Sequence, residues 1–362
     1  MFPKWFDKWN KDNPTNIFGP AIVVSGIGGA VFVAAMLIAY GQPFATKSIQ
    51  TGPRGIGMSV TEFRGQITRP DPTVEGYHSS DPVVPGEDAV LARDGIEGAE
   101  ESLGDLTVEN YTRLVEAMQI WTGIPDLFEG EETYQTVVAR RMIEMTQNIN
   151  ENWDGHVNAN ETVGVTCYTC HRGEPVPSEI WFKITPVNNP TAAQGWAQNQ
   201  NRVTSISQST SLPSDALETY LLDYGVIGVH DLESRVEGIP GQDDYPGIQH
   251  AERTYSLMNY IDNSLGVNCV FCHNSRAFYD GAQVTPQWGT ASLGIGMVQE
   301  LNNDYLVPLA EELPEDRLGP IQGDAPKVAC KTCHKGYQQP MQGMNVIDDW
   351  PELATSEAPV YE

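Results

Sequence analysis

Basic residues are scarce in this chain: 21 Lys and Arg face 48 Asp and Glu, a formal net charge of −27 over 362 residues. Phosphate recognition needs a basic surface, so nucleic acid is excluded as a partner. A basic protein partner suits the charge, although the same carboxylates keep a protein soluble without any partner. Apolar side chains are also few, at 40% of residues, while Gly 34 and Pro 25 are generous. Much of the backbone must run as loop and turn. Such a chain needs bulky apolar material from elsewhere to make an interior. Cysteine is limited to six, and none stands alone.

The six cysteines form three copies of one pattern: Cys167-Tyr-Thr-Cys170-His171, Cys269-Val-Phe-Cys272-His273 and Cys330-Lys-Thr-Cys333-His334. Two thiols separated by two intervening residues can add across the vinyl groups of a porphyrin, and the adjacent histidine then reaches the iron from one face. A zinc site would merge two Cys pairs into one tetrahedron, and a thioredoxin-like pair would occur once without needing the histidine. Three complete copies that use every cysteine predict three covalently bound c-type haems. Such attachment takes place outside the cytoplasm, which puts the globular part in a bacterial periplasm.

One long apolar run is present, Ile17 to Tyr40, without a charge and long enough to cross a bilayer as a helix. Lys4, Lys8 and Lys11 precede it, so the positive-inside rule keeps the N-terminus in the cytoplasm and sends the rest outward. Trp5 and Trp9 suit the interface. The run exceeds a signal-peptide core and is read as an uncleaved anchor. No cysteine follows it closely, which excludes a lipidated N-terminal cysteine.

The expected fold is mostly α with long loops, a multihaem cytochrome built from helix-plus-CxxCH repeats behind an N-terminal transmembrane helix. Residues 1–16 are assigned to a cytoplasmic N-terminus and 17–40 to the anchor. Residues 41–105 form an extended periplasmic segment that ends in a solvated acidic loop from Glu87 to Asp105. Residues 106–176 make a first half with one haem motif and a vacant slot. Residues 177–247 are a connector with a few strands, 248–345 a second half with two motifs, and 346–362 a mobile acidic tail.

The repeat reading aligns Gly123 with Gly266, which sets Val115 opposite Met258 and puts Asp126, Phe128, Glu129 and Gly130 where a motif should stand. A second helix, Val137 to Asn150, precedes Cys167, and its counterpart, Leu293 to Tyr305, precedes Cys330. Matching Met142 with Met297 sets Met145 opposite Glu300.

A low-spin haem needs a ligand on both faces. Met258 lies on an amphipathic helix eleven residues before Cys269, and Met145 lies twenty-two before Cys167 on the corresponding kind of helix. Each methionine alone suits a core, but their shared placement favours ligation. Glu300 is a poor ligand, so the third haem needs a histidine. His156 is the first candidate, with His78, His230 and His250 as alternatives.

Several longer stretches carry a family resemblance: Gln50-Thr-Gly-Pro-Arg-Gly, VVARRMIEMTQNINENW at 137–153, GVTCYTCHRG at 164–173, NSLGVNCVFCHN at 263–274, YLVPL at 305–309 and PKVACKTCHKG at 326–336. The chain resembles the cytochrome c subunit of the bacterial photosynthetic reaction centre over nearly all its length beyond residue 45. The resemblance implies that Met145 and His171 ligate one iron, Met258 and His273 another, and His156 and His334 the third. The family usually has four haems; here the first is absent together with its methionine at Val115, and the lost haem is the one farthest from the membrane. The implied order outward from the photo-oxidised bacteriochlorophyll pair is the His273 haem, the His334 haem, then the His171 haem.

The resemblance further implies an electron-transfer subunit, not an enzyme. It sits on the bacterial inner, photosynthetic membrane with reaction-centre subunits that carry bacteriochlorophyll, and the core antenna ring is a further neighbour. Its soluble periplasmic donor would be a basic c-type cytochrome or a high-potential iron-sulfur protein. The rival classes are a membrane-anchored quinol dehydrogenase or periplasmic reductase, which needs an open iron position, and a docking scaffold with structural haems.

Overall fold

The structure is a computed structural model that describes residues 3–12, 18–39, 47–50, 59–62, 73–158, 163–184, 199–200, 203–208, 210–228, 248–278 and 280–361. Two compact units are distinguished: residues 1–49 with 61–69, and residues 50–60 with 70–362.

In the first unit, a short helix, Lys4–Asp12, precedes the apolar helix Phe18–Ala39. Its stretch Gly19–Ile38 is long and apolar enough to cross a membrane, and none of its residues is buried. That exposure fits a membrane anchor and does not fit a soluble core helix. Ile17 and Tyr40, the ends of the expected span, lie outside the described residues. Two four-residue strands, Lys47–Gln50 and Ser59–Glu62, pair as the one sheet among the described residues. The protein is otherwise mostly helical, as the sequence predicts.

The second unit is organised by four long helices. Val108–Thr122 starts at Thr107, whose hydroxyl accepts from the Asn110 N–H, and ends at Gly123 in the left-handed region. Tyr134–Asn152 starts with a Thr133/Thr136 capping box. Ile248–Leu265 ends before Gly266, which is also left-handed. Pro286–Glu300 has Pro286 in its first turn, then widens into a π-helical turn at Leu301–Leu306 and a 3-10 turn at Val307–Glu311. Pro308 explains that break, because it offers no N–H to an α-helix and its ring clashes with the preceding turn.

The repeat is visible as paired contacts. The Gly173 N–H donates to the Trp121 carbonyl at 2.8 Å, and the Gly336 N–H donates to the Ser264 carbonyl at 2.8 Å. A Cβ on Gly123 would collide with the Gly173 carbonyl, and one on Gly266 with the Gly336 carbonyl. These equivalences agree with the expected alignment of Gly123 on Gly266 and of Val115 on Met258.

The second pair of helices needs a correction. The Asn150 side chain both donates to and accepts from the Val165 backbone, at 2.9 and 2.8 Å, and Asn302 does the same to Val328, at 3.1 and 2.9 Å. Val165 and Val328 each stand two residues before a motif cysteine, so Asn150 matches Asn302. Met145 therefore matches Met297, and Met142 matches Gly294, three residues away from the register expected from the sequence.

Two apolar cores flank the motifs. One gathers Leu114, Val115, Met118, Trp121, Leu127, Ile143, Tyr168, Val346, Trp350 and Leu353; the other gathers Ile149, Leu217, Tyr220, Leu257, Tyr260, Ile261, Met297, Val298 and Leu301. The first core corrects two expectations. The C-terminal segment is packed, not mobile: Trp350 and Leu353 are wholly buried, and Glu352 is buried against Arg113 at 2.5 Å. The acidic stretch from Glu87 to Asp105 is not simply a solvated loop, since Ala92, Glu100 and Leu103 are buried in it. Within residues 73–85, Val83 exchanges both backbone bonds with the Asn110 side chain, at 3.0 and 2.8 Å. In the connector, the described residues hold a short helix, Ala216–Leu221, and isolated bridges instead of strands.

Candidate haem sites

Two of the three motifs are built alike. Cys167–His171 and Cys330–His334 are five-residue helices, opened by Thr166 and Ala329 with Thr169 and Thr332 three residues on, and closed by left-handed Arg172 and Lys335. The His171 Nδ1 lies 2.9 Å from the Glu174 carbonyl and the His334 Nδ1 3.1 Å from the Tyr337 carbonyl. A carbonyl can only accept, so each Nδ1 carries the proton and each Nε2 keeps its lone pair for a metal. The Gly after Arg172 or Lys335 allows this turn; Gly173 and Gly336 both have positive φ.

The third motif differs. Cys269–Phe271 is a 3-10 turn capped by the Asn268 side chain, which accepts from the Val270 N–H at 3.2 Å. Asn274 follows His273 in place of a basic residue and glycine, and the His273 Nδ1 is buried without a hydrogen-bond partner among the described residues. Phe278 lies against its ring, 5.5 Å between centroids. The Cys269 thiol donates to Asp262 at 3.1 Å, and burial pushes that carboxyl up to about 6.

His156 is brought to a motif histidine. Its ring centroid stands 6.1 Å from that of His334. Two imidazoles on opposite sides of one metal, each at about 2.0–2.1 Å, have centroids about 6 Å apart. The His156 Nδ1 lies 2.9 Å from the Thr290 carbonyl, which again leaves Nε2 for the metal. Burial pushes His156 below its ordinary range, and burial followed by the neighbouring His156 pushes His334 down to about 4. Burial lowers His171 and His273 as well. In each case burial favours the neutral form, which is the form that binds iron.

The other candidate ligands are less directly placed. Met145 and Met258 are partly buried against the second core. Of the alternative histidines, His250 meets Tyr220 edge-on at 6.1 Å, and His78 uses its backbone carbonyl to accept from Trp121 at 3.1 Å. His230 lies outside the described residues. Met297, which the sequence pattern pairs with Met142, is equivalent to Met145 by the asparagine contacts and is buried in the second core.

Four cysteines, Cys167, Cys269, Cys272 and Cys330, are free thiols, whereas Cys170 and Cys333 are joined to each other with Cα atoms 4.6 Å apart. A sulfur holds either a disulfide or a thioether to porphyrin carbon, so this pairing and complete attachment at both motifs exclude each other. The histidine geometry fits haem at these two motifs; the Cys170–Cys333 pair does not, and the mass of the mature protein distinguishes them. Among the described residues no group of three or more His, Cys, Asp and Glu could hold a bare metal ion.

Three CxxCH motifs, two of them helix-borne with oriented histidines, define a c-type cytochrome, carried behind an apolar N-terminal helix. Residues 41–354 match the family model described as photosynthetic reaction centre cytochrome C subunit. The photosynthetic reaction center cytochrome c subunit of Roseobacter denitrificans is 62% identical over the whole length of both chains. The protein of the same name from Rubrivivax gelatinosus is 35% identical, covering 93% of this chain and 91% of its own. That from Thermochromatium tepidum is 33% identical, covering 92% and 80%. The chain belongs to the photosynthetic reaction centre cytochrome c subunit family, electron-transfer proteins with covalently bound c-type haem.

Proposed function

We propose that this chain holds three c-type haems and donates electrons, received from a soluble periplasmic carrier, to the photo-oxidised bacteriochlorophyll pair of the reaction centre. Haem supplies reversible one-electron chemistry between ferrous and ferric iron. Cys167 and Cys170, Cys269 and Cys272, and Cys330 and Cys333 attach the three groups. His171 with Met145, His273 with Met258 and His334 with His156 provide the axial pairs.

The observation that carries the assignment is the facing pair His156 and His334, with centroids 6.1 Å apart and each Nδ1 held by a backbone carbonyl. Ligands fixed in advance in this way would let one iron change oxidation state with little change in geometry. Such preorganisation suits a carrier that makes and breaks no substrate bond. Lys4, Lys8 and Lys11 ahead of the apolar helix support a periplasmic globular part.

A light flash on native membranes tests the role: haem oxidation should follow the pulse, and its absence sinks the proposal. A pyridine haemochrome assay normalised to protein should return about three haems, and intact mass should show no Cys170–Cys333 disulfide. A value near two, with that disulfide present, would overturn the count. Protease added to spheroplasts should digest the globular part, and protection would reverse the orientation.

A further inference from the structure

We propose that Asp262 lowers the potential of the haem held by Cys269, Cys272 and His273, acting as a carboxylate fixed at the edge of that group. The inference rests on the reading that this motif holds haem.

Asp262 stands near the end of the Ile248–Leu265 helix, just ahead of the left-handed Gly266. Its backbone carbonyl accepts from the Val267 N–H at 3.0 Å, so the chain turns back here and brings Cys269 against the helix. The Asp262 Oδ2 then lies 3.1 Å from the Cys269 sulfur, and that thiol is the one donor its carboxylate has among the described residues. Haem attachment joins the sulfur to a vinyl carbon: the S–H bond breaks, an S–C bond forms, and the proton goes to the other vinyl carbon. The donor is thereby consumed, and the carboxylate oxygen is left beside the porphyrin edge.

The first cysteines of the other two motifs have no such neighbour. Burial pushes the Cys167 and Cys330 thiols up without help from a carboxylate, whereas Cys269 is raised by burial and then by Asp262, and Cys272 by burial and then by Asp262. Among the described residues no Lys, Arg or His acts on Asp262; the titratable groups that face it are Cys269 and Cys272, and both sulfurs are taken up as thioethers. A carboxylate without a counter-charge favours ferric over ferrous iron, because ferric iron carries one more positive charge for it to offset. It therefore lowers the potential. Burial holds the carboxyl up at about 6, so its charge, and with it its effect on the iron, fades as pH falls through that region. Each one-electron reduction then draws a fraction of a proton from water onto Asp262.

The test is redox titration of the full membrane complex between about pH 5 and pH 8, with Asp262→Asn and Asp262→Glu beside the unaltered protein. At the upper pH, Asp262→Asn should raise one midpoint potential by about 59 mV, a tenfold change in the ferrous-to-ferric ratio, and leave the others in place. At the lower pH the gap should close, because the Asp262 charge is then largely gone. Asp262→Glu keeps the charge and should keep the pH dependence. Equal potentials at the upper pH overturn the inference. So does a rise of the same size at both ends, which is what altered packing alone would give. A pyridine haemochrome count on each protein separates this inference from the reading beneath it. Fewer than three haems in the unaltered protein would mean that the haem assignment has failed, whereas three haems and no shift remove only the role of Asp262. If Asp262→Asn does not retain its haem, the unaltered protein still decides: potentials that all stay fixed between about pH 5 and pH 8 overturn the proposal.

Discussion

The helix that ends at Gly123 and the helix that ends at Gly266 make the same close contact with the glycine of a CxxCH motif, and they are completed in different ways. After Gly266 come Cys269 and Cys272 of a complete CxxCH motif and the histidine whose Nδ1 has no partner among the described residues. After Gly123 come Asp126, Leu127 and Phe128, with Leu127 buried and Phe128 packed against the first core. Val115, in the place of Met258, is buried there too. Trp350 stands edge-on to Trp121 at 4.7 Å, and Tyr77 stacks on Trp121 at 5.9 Å. Where the repeat calls for a fourth motif, aromatic side chains from three distant stretches of chain make the interior. The difference teaches that the repeat specifies a volume to be filled, and that the C-terminal segment has become part of the filling.

Breaking that filling has the largest expected effect. Trp350→Ala removes a wholly buried indole that also faces the Arg113 guanidinium at 4.2 Å, and should destabilise the protein by about 3–5 kcal/mol. Truncation of half-exposed Phe278 in the second half should cost less than about 1.5 kcal/mol. Urea denaturation of the purified complex, followed by aromatic fluorescence, measures both. Similar losses from the two variants would mean that the first-half interior is no more dependent on protein packing than the second.

The C-terminal role was not legible in the sequence for a physical reason. Residues 346–362 are acidic and lack periodicity, and their burial depends on Arg113, more than two hundred residues earlier. The Arg113 guanidinium reaches Glu352 and the carbonyls of Ser80 and Asp349 at 2.5, 2.8 and 2.5 Å. Long-range partners of that kind leave no local pattern. The haem motifs are the opposite case, since chemistry fixes their spacing within five residues and the histidine orientation follows from the next three. The register of the second helix pair fails for a subtler reason. A slip of three residues moves a helix by less than one turn and keeps the apolar face in place, so periodicity alone cannot reject it. Only the Asn150 and Asn302 contacts fix it. The mostly helical class and the apolar N-terminal helix were legible because both rest on composition and period.

Sharpening the comparison at Val115 and Met258 comes next in size. Met258→His should lower the potential of one haem by on the order of 0.1 V, equivalent to about 2.3 kcal/mol, because a second imidazole favours ferric iron. Val115→His, at the equivalent place in the first half, should move no haem potential. Spectroelectrochemical titration of the two variants decides, and a shift from Val115→His but not from Met258→His would undo the assignment.

A smaller effect concerns how the acidic stretch is tied to the first core. Burial alone would raise the Glu100 carboxyl, but the Arg140 Nε at 2.6 Å and the Ser102 N–H outweigh it and hold it below the ordinary range. A depressed carboxylate contributes stability that is present above its unfolded value, about 4.3, and is lost as pH falls through the folded one. Glu100→Gln should therefore cost about 1–2 kcal/mol at neutral pH and flatten the fall in stability below about pH 5. Denaturation midpoints from pH 3 to 7 measure this, and parallel curves for the two proteins would contradict it.

The smallest effect is on docking, where the place without a motif presents Glu129, Glu131 and Glu132 to solvent. If a basic donor approaches there, these carboxylates raise its association rate by long-range attraction. Such steering fades with salt as the Debye length falls from roughly 10 Å at 0.1 M to about 3 Å at 1 M. Glu132 already lies 3.1 Å from Arg140, which neutralises part of its field, so Glu129 and Glu131 carry most of the attraction. Changing all three to Gln should slow the bimolecular re-reduction of haem by about threefold at low salt, which is about 0.6 kcal/mol, and leave it unchanged at high salt. The remaining acids of a chain with net charge −27 supply the background, so the comparison is between salt conditions within each protein. An equal rate at low salt would move the docking surface away from the first half, toward the side where Cys269, Cys272 and His273 still form a complete motif.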